Sequence, residues 1–204
     1  MPTLPRLYAI LDAACFADEE NMFAAAEELE KVGVRLVQYR NKSGNARTML
    51  TQVRELRRRL AKDVRLIMND RADLALTAGF DGVHVGQDDL PAEGARRVIG
   101  SRMLLGVSTH NESQVLEAGG TSADYIAIGP VFATSSKAKP DPVIGLDGVR
   151  RARSLTEKPI AAIGGITRGN CRAVIDAGAD AVAVISDLVT EPGKSAEEFL
   201  RILR

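Results

Sequence analysis

The sequence predicts a single-domain α/β protein of the (β/α)8, or TIM, barrel class, and three observations support this. Short β-rich runs alternate with segments of helical periodicity along the whole chain, an order typical of βα units around a parallel sheet. Eight such units fill 204 residues with little room for insertions, and a closed barrel exposes no sheet edge. No linker divides the chain, so we expect one domain over residues 1–204. An open, doubly wound sheet is the alternative.

The predicted strands are short apolar runs that end in polar residues or glycine. They cover residues 7–12, 34–40, 64–70, 82–86, 104–109, 125–131, 159–165 and 181–189. Several of the intervening helices are expected to end at a glycine in the left-handed conformation, at Gly33, Gly79 and Gly178.

The segment after the second strand shows the helical pattern well. Met49, Val53, Leu56 and Leu60 are spaced to form one apolar stripe, which predicts a helix packed on the barrel. The arginine run at 57–59 on this segment indicates a solvated helix face rather than a nucleic-acid patch.

Composition excludes several classes of function. The 27 basic and 27 acidic residues cancel, so no overall field attracts nucleic acid or an anionic membrane. No apolar run approaches the roughly 20 residues of a membrane span, and residues 1–6 lack a signal pattern, so we expect a cytoplasmic protein. Cys15 and Cys171 lack CxxC spacing, which argues against a disulfide framework or a zinc site.

Charged residues cluster at the ends of consecutive predicted strands, where this fold places its active sites. Arg40 and Lys42 lie two residues apart and face the same side of an extended strand. Asp70 and Asp89 follow the next two strands and would suit Mg²⁺; taken singly, each could be a helix cap. Lys137 adds a third cation. The set fits a metal-bound pyrophosphate, although surface ion pairs would explain any one cation.

The end of the seventh strand carries Gly164 and Gly165, and the eighth ends near Ile185 and Ser186. Loops after strands seven and eight commonly bind phosphate in this fold, and glycine lets backbone N–H groups approach an anion. We therefore expect a phosphorylated small molecule here. The alternative for the glycine pair is a tight turn alone.

The two histidines are expected to differ. His84 lies inside a strand, which favours a packed, hydrogen-bonded imidazole over a catalytic base. His110 follows a strand end and is the better candidate for substrate contact.

Six segments in this order resemble the thiamine-phosphate synthase family. They are residues 38–42, 69–70, 84–89, 106–110, 129–137 and 163–166. The resemblance implies a transferase that joins 4-amino-2-methyl-5-hydroxymethylpyrimidine pyrophosphate to 4-methyl-5-(2-hydroxyethyl)thiazole phosphate. The products are thiamine monophosphate and pyrophosphate, formed by a dissociative, Mg²⁺-assisted loss of pyrophosphate.

The resemblance also implies roles for individual residues. Asp70 and Asp89 correspond to the metal ligands, and Arg40, Lys42, Lys137 and Ser108 are expected to be catalytic. The pyrimidine pyrophosphate contacts are Gln38, Tyr39, Arg40, Asn41, Lys42, Asn69, Ser108 and Lys137. The thiazole phosphate contacts are Thr134, Ser135, Ser136, Gly165, Ile185 and Ser186. Asp187 beside the phosphate loops has no explanation at this stage.

Two alternative functions stay open. A thiazole tautomerase would share the barrel and the phosphate loops but would have little use for Arg40, Lys42, Asp70 and Asp89 together. A non-catalytic thiamine-phosphate sensor would show degraded metal or pyrophosphate motifs, and these motifs are intact. The expected partners are the two small-molecule substrates, without nucleic acid or membrane, and a homo-oligomer is left open.

Overall fold

A computed structural model describes residues 3–134 and 141–204, and these form a closed barrel of parallel strands. The strands are β1 (Leu7–Asp12), β2 (Leu36–Arg40), β3 (Arg65–Asn69), β4 (Gly82–Val85), β5 (Leu104–Thr109), β6 (Tyr125–Ile128), β7 (Ile160–Ile163) and β8 (Ala181–Val184). They pair in chain order, and β8 closes the barrel by pairing with β1 through Leu7 and Val182. The predicted barrel is confirmed.

Each strand is followed by a helix that packs on the outside of the barrel. The helices are α1 (Glu19–Lys31), α2 (Ala46–Arg59), α3 (Ala72–Ala78), α4 (Ala92–Ile99), α5 (Glu112–Gly119), α6 (Gly145–Leu155), α7 (Cys171–Asp176) and α8 (Pro192–Ile202). Asp18, Asn45 and Asn111 cap α1, α2 and α5 by accepting from backbone N–H groups of the first turn. None of the helices in the described ranges combines the length and apolarity needed to cross a membrane.

Several predicted strands are longer than the observed ones. Strand β6 ends at Ile128, before Pro130, whose nitrogen cannot donate to a sheet. Strand β7 ends before Gly164 and Gly165, which both have positive φ. The predicted strand 181–189 is wrong beyond Val184, because Ser186–Leu188 form a 3-10 helix.

The predicted helix-end glycines are confirmed, and the arginine prediction is only partly correct. Gly33, Gly79 and Gly178 have φ of 103°, 67° and 109°. Arg58 is exposed as expected, but Arg59 lies over the Phe23 ring, 4.6 Å from its centroid. Both cysteines are free thiols, one exposed and one buried.

The core has two layers. The larger layer lies between the strands and the helices, and a smaller one fills the barrel interior around Tyr8, Leu36, Ile67 and Tyr125. On β6, β7 and β8 four of the interior positions carry alanine, at Ala127, Ala161, Ala181 and Ala183. Because these side chains are small, the interior stays open toward the carboxyl ends of the strands, and a cavity forms there.

The amino-terminal end of the barrel carries one arrangement three times. An aspartate just before β4, β6 or β8 accepts a hydrogen bond of 2.8 Å from the backbone N–H of a residue in the preceding strand. The same carboxylate forms an ion pair with an arginine of the helix that comes directly before that preceding strand in the chain. The pairs are Arg57 with Asp81 at 3.2 Å, Arg96 with Asp124 at 2.6 Å and Arg153 with Asp180 at 3.0 Å. These clamps tie helices to strands away from the cavity.

Candidate active site

A cavity of about 540 Å³ lies at the carboxyl ends of the strands. Most of the predicted site residues line it. They are Gln38, Arg40, Lys42, Asn69, Asp70, Asp89, Ser108, Thr134, Gly165, Ile185 and Ser186. The predicted residues Ser135, Ser136 and Lys137 lie outside the described ranges.

The two cations of β2 and its loop face the cavity together. Arg40 forms an ion pair with Asp12, whose side chain is 6% exposed. Lys42 Nζ lies 2.5 Å from Asp70 Oδ2. Asp12 was missed from the sequence, although it ends β1 and its Cα partner in the sheet is Arg40. An acidic residue at a strand end of this barrel is the signal that could have identified it.

The carboxyl groups of Asp70 and Asp89 are neighbours, and the backbone holds both. Asp70 has a φ of 63°, the one positive value among the described non-glycine residues, and its N–H donates to His84 O at 2.7 Å. Asp89 Oδ2 accepts from Gly86 N at 2.8 Å. Asp70 is therefore fixed in the left-handed conformation with its carboxyl beside that of Asp89.

Burial, followed by the neighbouring Asp89, raises the pKa of Asp70. Burial also acts to raise the pKa of Asp89, but the hydrogen bonds from Asp70 and Gly86 outweigh it and lower that pKa. The neighbouring carboxyl thus makes it harder for Asp70 to ionise. Two carboxyls this close are stabilised by a cation, and their oxygens are ligands that Mg²⁺ accepts. No third acidic, His or Cys side chain joins them within residues 3–134 and 141–204, so water and substrate would complete the coordination.

A chain of hydrogen bonds crosses the cavity floor. Gln38 Nε2 donates to Tyr8 Oη at 2.7 Å, and the hydroxyls of Tyr8 and Tyr125 are 2.9 Å apart. His84 contacts Tyr125 Oη through Nδ1 at 3.1 Å and Ser108 Oγ through Nε2 at 2.8 Å. The expected packed, hydrogen-bonded His84 is confirmed. Tyr8 and Tyr125 were missed because each lies inside an apolar strand sequence.

Burial sets the protonation states of the residues in this hydrogen-bond chain. It lowers the pKa of His84 to about 4, against a smaller opposing effect of Asp89. Burial also raises the pKa of the Tyr8 and Tyr125 hydroxyls above their usual value. The histidine is therefore neutral and both tyrosines keep their protons near pH 7.

The loops after β7 and β8 line the opposite side of the cavity. Gly164 and Gly165 have φ of 99° and 62°. A Cβ on Gly164 would lie 2.5 Å from Pro130 Cβ, and one on Gly165 would lie 2.4 Å from Ala133 O. Both glycines are thus required by conformation and by close packing on the loop after β6. Asn170 accepts from Thr167 N and donates to Gly165 O, which holds the turn.

Asp187 now has a structural explanation. Its carboxylate accepts from the backbone N–H of Arg168 at 3.0 Å and from the guanidinium at 3.1 and 3.2 Å. Arg168 also bonds Glu198 at 2.9 Å. Asp187 does not line the cavity. It ties the loop after β7 to the 3-10 helix after β8 and so holds the two phosphate loops together.

Tyr39 and Asn41 are not among the residues that line the cavity, and their contact with substrate stays a prediction. Alternation along β2 turns Tyr39 outward, where it is buried and donates to Gln52 Oε1 at 2.5 Å. Asn41 donates to the same Gln52 and accepts from Gly44 N at 2.7 Å. These two residues shape the loop that carries Lys42.

His110 lines the cavity, as its position after β5 predicts. Its Nδ1 lies 2.6 Å from the carbonyl oxygen of Gly129, and its Nε2 lies 3.5 Å from Asp141 Oδ2. Gln87 also lines the cavity and donates to Ser108 O at 2.5 Å. These contacts fix the rim beside Ser108.

Comparison with known proteins identifies close relatives. A family model described as thiamine monophosphate synthase matches residues 7–188. The thiamine-phosphate synthase of Koribacter versatilis is 60% identical over 98% of this chain and 96% of its own length. That of Chloroflexus aurantiacus is 46% identical over 90% of this chain and 85% of its own. The solved thiamine phosphate pyrophosphorylase of Pyrococcus furiosus superposes with a TM-score of 0.85 at 34% identity, covering 97% of this chain and 95% of that one.

Proposed function

Because this chain belongs to the thiamine monophosphate synthase family, we propose that its cavity transfers the pyrimidine group by a dissociative departure of pyrophosphate. The enzyme is a transferase that joins hydroxymethylpyrimidine pyrophosphate to hydroxyethylthiazole phosphate and forms thiamine monophosphate. One observation carries the proposed mechanism. The cations Arg40 and Lys42, the carboxyl pair Asp70 and Asp89, and the glycine loops after β7 and β8 line one cavity.

The pyrophosphate is assigned to the side of the cavity that carries Arg40 and Lys42. Arg40 is held by Asp12, so its remaining N–H donors have a fixed direction, and a guanidinium binds two phosphate oxygens at once. Lys42 supplies a mobile point charge. Lys137, expected to add a third cation, lies outside the described residues. Mg²⁺, held by Asp70 and Asp89, would neutralise charge on the departing pyrophosphate.

The thiazole phosphate is assigned to the opposite side. Gly165, Ile185 and Ser186 offer backbone and hydroxyl groups there, and Thr134 approaches from the loop after β6. Ser135 and Ser136, expected to extend this contact, lie outside the described residues. The two substrates would then approach each other across the mouth of the barrel.

Bond breaking and bond forming require only charge stabilisation and alignment. The bond between the pyrimidine methylene and the pyrophosphate oxygen breaks, and the electron-rich aminopyrimidine bears the positive charge that remains. Arg40 and Lys42 stabilise the negative charge on the leaving group. The lone pair of the thiazole nitrogen then forms the new C–N bond, and no proton is removed. This agrees with a neutral His84 whose two ring nitrogens are already hydrogen-bonded.

The tautomerase alternative receives no specific support, because Arg40, Lys42, Asp70 and Asp89 all line the cavity. The sensor alternative is likewise unsupported, since the relatives reported above are named as synthases. The cytoplasmic location and a homo-oligomer stay predictions.

The test is synthesis of thiamine phosphate from the two purified substrates, followed as fluorescent thiochrome, with Mg²⁺ and with EDTA. We expect metal-dependent product, lost in Arg40→Met and kept in Arg58→Met, where the arginine lies on the outer face of α2. Equal product with EDTA, or an Arg40→Met variant with the wild-type rate, would contradict the proposed mechanism.

A further inference from the structure

The hydrogen-bond chain on the cavity floor has a direction. Every link needs one donor and one acceptor, and the Gln38 amide nitrogen can only donate. The Tyr8 hydroxyl oxygen therefore accepts from Gln38, and the Tyr8 hydroxyl donates its hydrogen bond to the Tyr125 oxygen. Tyr125 then donates to His84 Nδ1, so the neutral imidazole carries its hydrogen on Nε2 and donates it to Ser108 Oγ. The Ser108 hydrogen is left to point into the cavity.

We propose that Tyr8, Tyr125 and His84 are positioning residues that set the hydrogen-bond pattern of the cavity floor. Through them, Ser108 presents a donor to the ligand and Gln38 presents its Oε1 as an acceptor. Within the described ranges, Gln38 Oε1 has no hydrogen-bond partner. Gln38 and Ser108, the two ends of the hydrogen-bond chain, both line the cavity. The ends of the chain are thus the two groups that meet a ligand.

This inference rests on the proposed function, and it identifies the part of the substrate that is recognised. A 4-aminopyrimidine carries an exocyclic amine, which donates, beside a ring nitrogen, which accepts. The amine matches Gln38 Oε1, and the ring nitrogen matches the Ser108 hydroxyl. The 4-oxo analogue carries the opposite pattern, a carbonyl beside a ring N–H.

The connected chain makes the pattern resistant to reversal. Turning Ser108 into an acceptor requires a new His84 tautomer, new directions for both tyrosine hydroxyls and a rotated Gln38 amide. All these groups are buried or line the cavity, so no link can reverse alone without leaving two donors or two acceptors facing each other. We therefore expect the floor to reject the 4-oxo analogue by at least tenfold in binding.

The direct test is the His84 tautomer in the intact protein. The chain has 2 histidines, so ¹⁵N-histidine labelling gives two ring systems, and His84→Gln identifies which signals belong to His84. Two-bond ¹H–¹⁵N correlation spectra at pH 7 should show the hydrogen on Nε2. Tyr125→Phe removes the donor to Nδ1 and should populate both tautomers. Tyr39→Phe also removes a buried tyrosine hydroxyl, but outside the barrel, and should leave the His84 spectrum unchanged.

Kinetics supply the second measurement. Tyr125→Phe should lower kcat/KM for pyrimidine pyrophosphate about tenfold and reduce discrimination against the 4-oxo analogue, while KM for thiazole phosphate stays constant. Thr109→Val, which removes a buried hydroxyl from the other face of β5, should change neither. A wild-type His84 with its hydrogen on Nδ1, or unchanged discrimination in Tyr125→Phe, would overturn the inference. If the protein shows the Nε2 tautomer but no synthase activity, the proposed direction of the hydrogen-bond chain is supported and only the proposed function is contradicted.

Discussion

Acidic and basic side chains gather at both ends of the barrel, but their partners differ. At the amino-terminal end, Asp124 bonds both Arg96 and the backbone of β5, and Arg96 also donates to the carbonyls of Gly100, Met103 and Ser122. Both terminal nitrogens of this guanidinium are thus occupied by protein acceptors. Similar side chains at the two ends of the fold thus meet different surroundings.

At the carboxyl end, the same residue types are left with spare donors. Among the described residues, Asp12 is the hydrogen-bond partner of the Arg40 guanidinium, and Asp70 is that of Lys42. A guanidinium has five N–H donors, so most of those on Arg40 remain available to a ligand. We therefore expect charged groups of the amino-terminal end to stabilise the fold and those of the carboxyl end to serve binding and chemistry. Variants at matched positions can separate the two roles.

The largest effect is expected at the carboxyl end. Asp70→Asn should lower kcat about 100- to 1000-fold, because a preorganised charge contact to the reacting groups is lost. The free energy of unfolding should not fall, since an amide removes the repulsion from Asp89 and asparagine tolerates the φ of 63°. Steady-state kinetics and urea unfolding check both parts. A variant that unfolds more easily but keeps its rate would reverse the assignment.

The next largest effect is the contribution of His84 to the pH dependence of the free energy of unfolding. Its pKa is about 4 in the folded protein and about 6.5 when unfolded. Between these values the unfolded chain binds more protons, so the free energy of unfolding falls as pH is lowered from about 6.5 to about 4. The total is on the order of 3 kcal/mol. Urea unfolding of wild type and His84→Gln across this range isolates the contribution, and parallel curves would show that His84 does not cause it.

Asp124→Asn tests the amino-terminal end with the same chemical change. Its carboxylate pairs with Arg96, which is 15% exposed. Removing the charge should lower the free energy of unfolding by about 2 kcal/mol, since the arginine keeps only its carbonyl partners. The kcat and both KM values should be unchanged. Loss of activity at wild-type stability would contradict a purely structural role for the clamp.

The smallest effect is expected from the contact between Asp187 and Arg168, which joins the loops after β7 and β8. Asp187→Asn weakens the contact with Arg168 and should raise KM for thiazole phosphate about tenfold, with KM for pyrimidine pyrophosphate unchanged. Asp176→Asn is the control, because its partner Arg172 lies exposed on α7. Equal rises in both KM values for Asp187→Asn would show a general loosening of the barrel instead.

Local sequence patterns predict the barrel and much of the site. Alternation along β2 places Gln38, Arg40 and Lys42 on the cavity side, as the structure has them. The same alternation turns Tyr39 away from the cavity, and Asn41 does not line it either, so the predicted contacts of these two residues have no support from the cavity. A motif read along the chain must still be divided by the face that each residue occupies.

Other features depend on pairing between distant strands, which one sequence does not reveal. Asp12 meets Arg40 through the register of β1 and β2. Tyr8, Tyr125 and His84 meet because β1, β4 and β6 face one another across a barrel whose interior they share. Asp187, beside the phosphate loops, is explained by its contact with Arg168, which lies 19 positions earlier in the chain. Pairings of this kind join residues more than ten positions apart, and local periodicity does not encode them.

The central claim is that the polar groups at the carboxyl end form a site for metal-bound pyrophosphate. Calorimetric titration with inorganic pyrophosphate, with Mg²⁺ and with EDTA, tests it without either organic substrate. We expect binding that requires Mg²⁺, is lost in Arg40→Met and persists in Arg58→Met. Pyrophosphate that binds equally in EDTA, or equally to Arg40→Met, would contradict the claim.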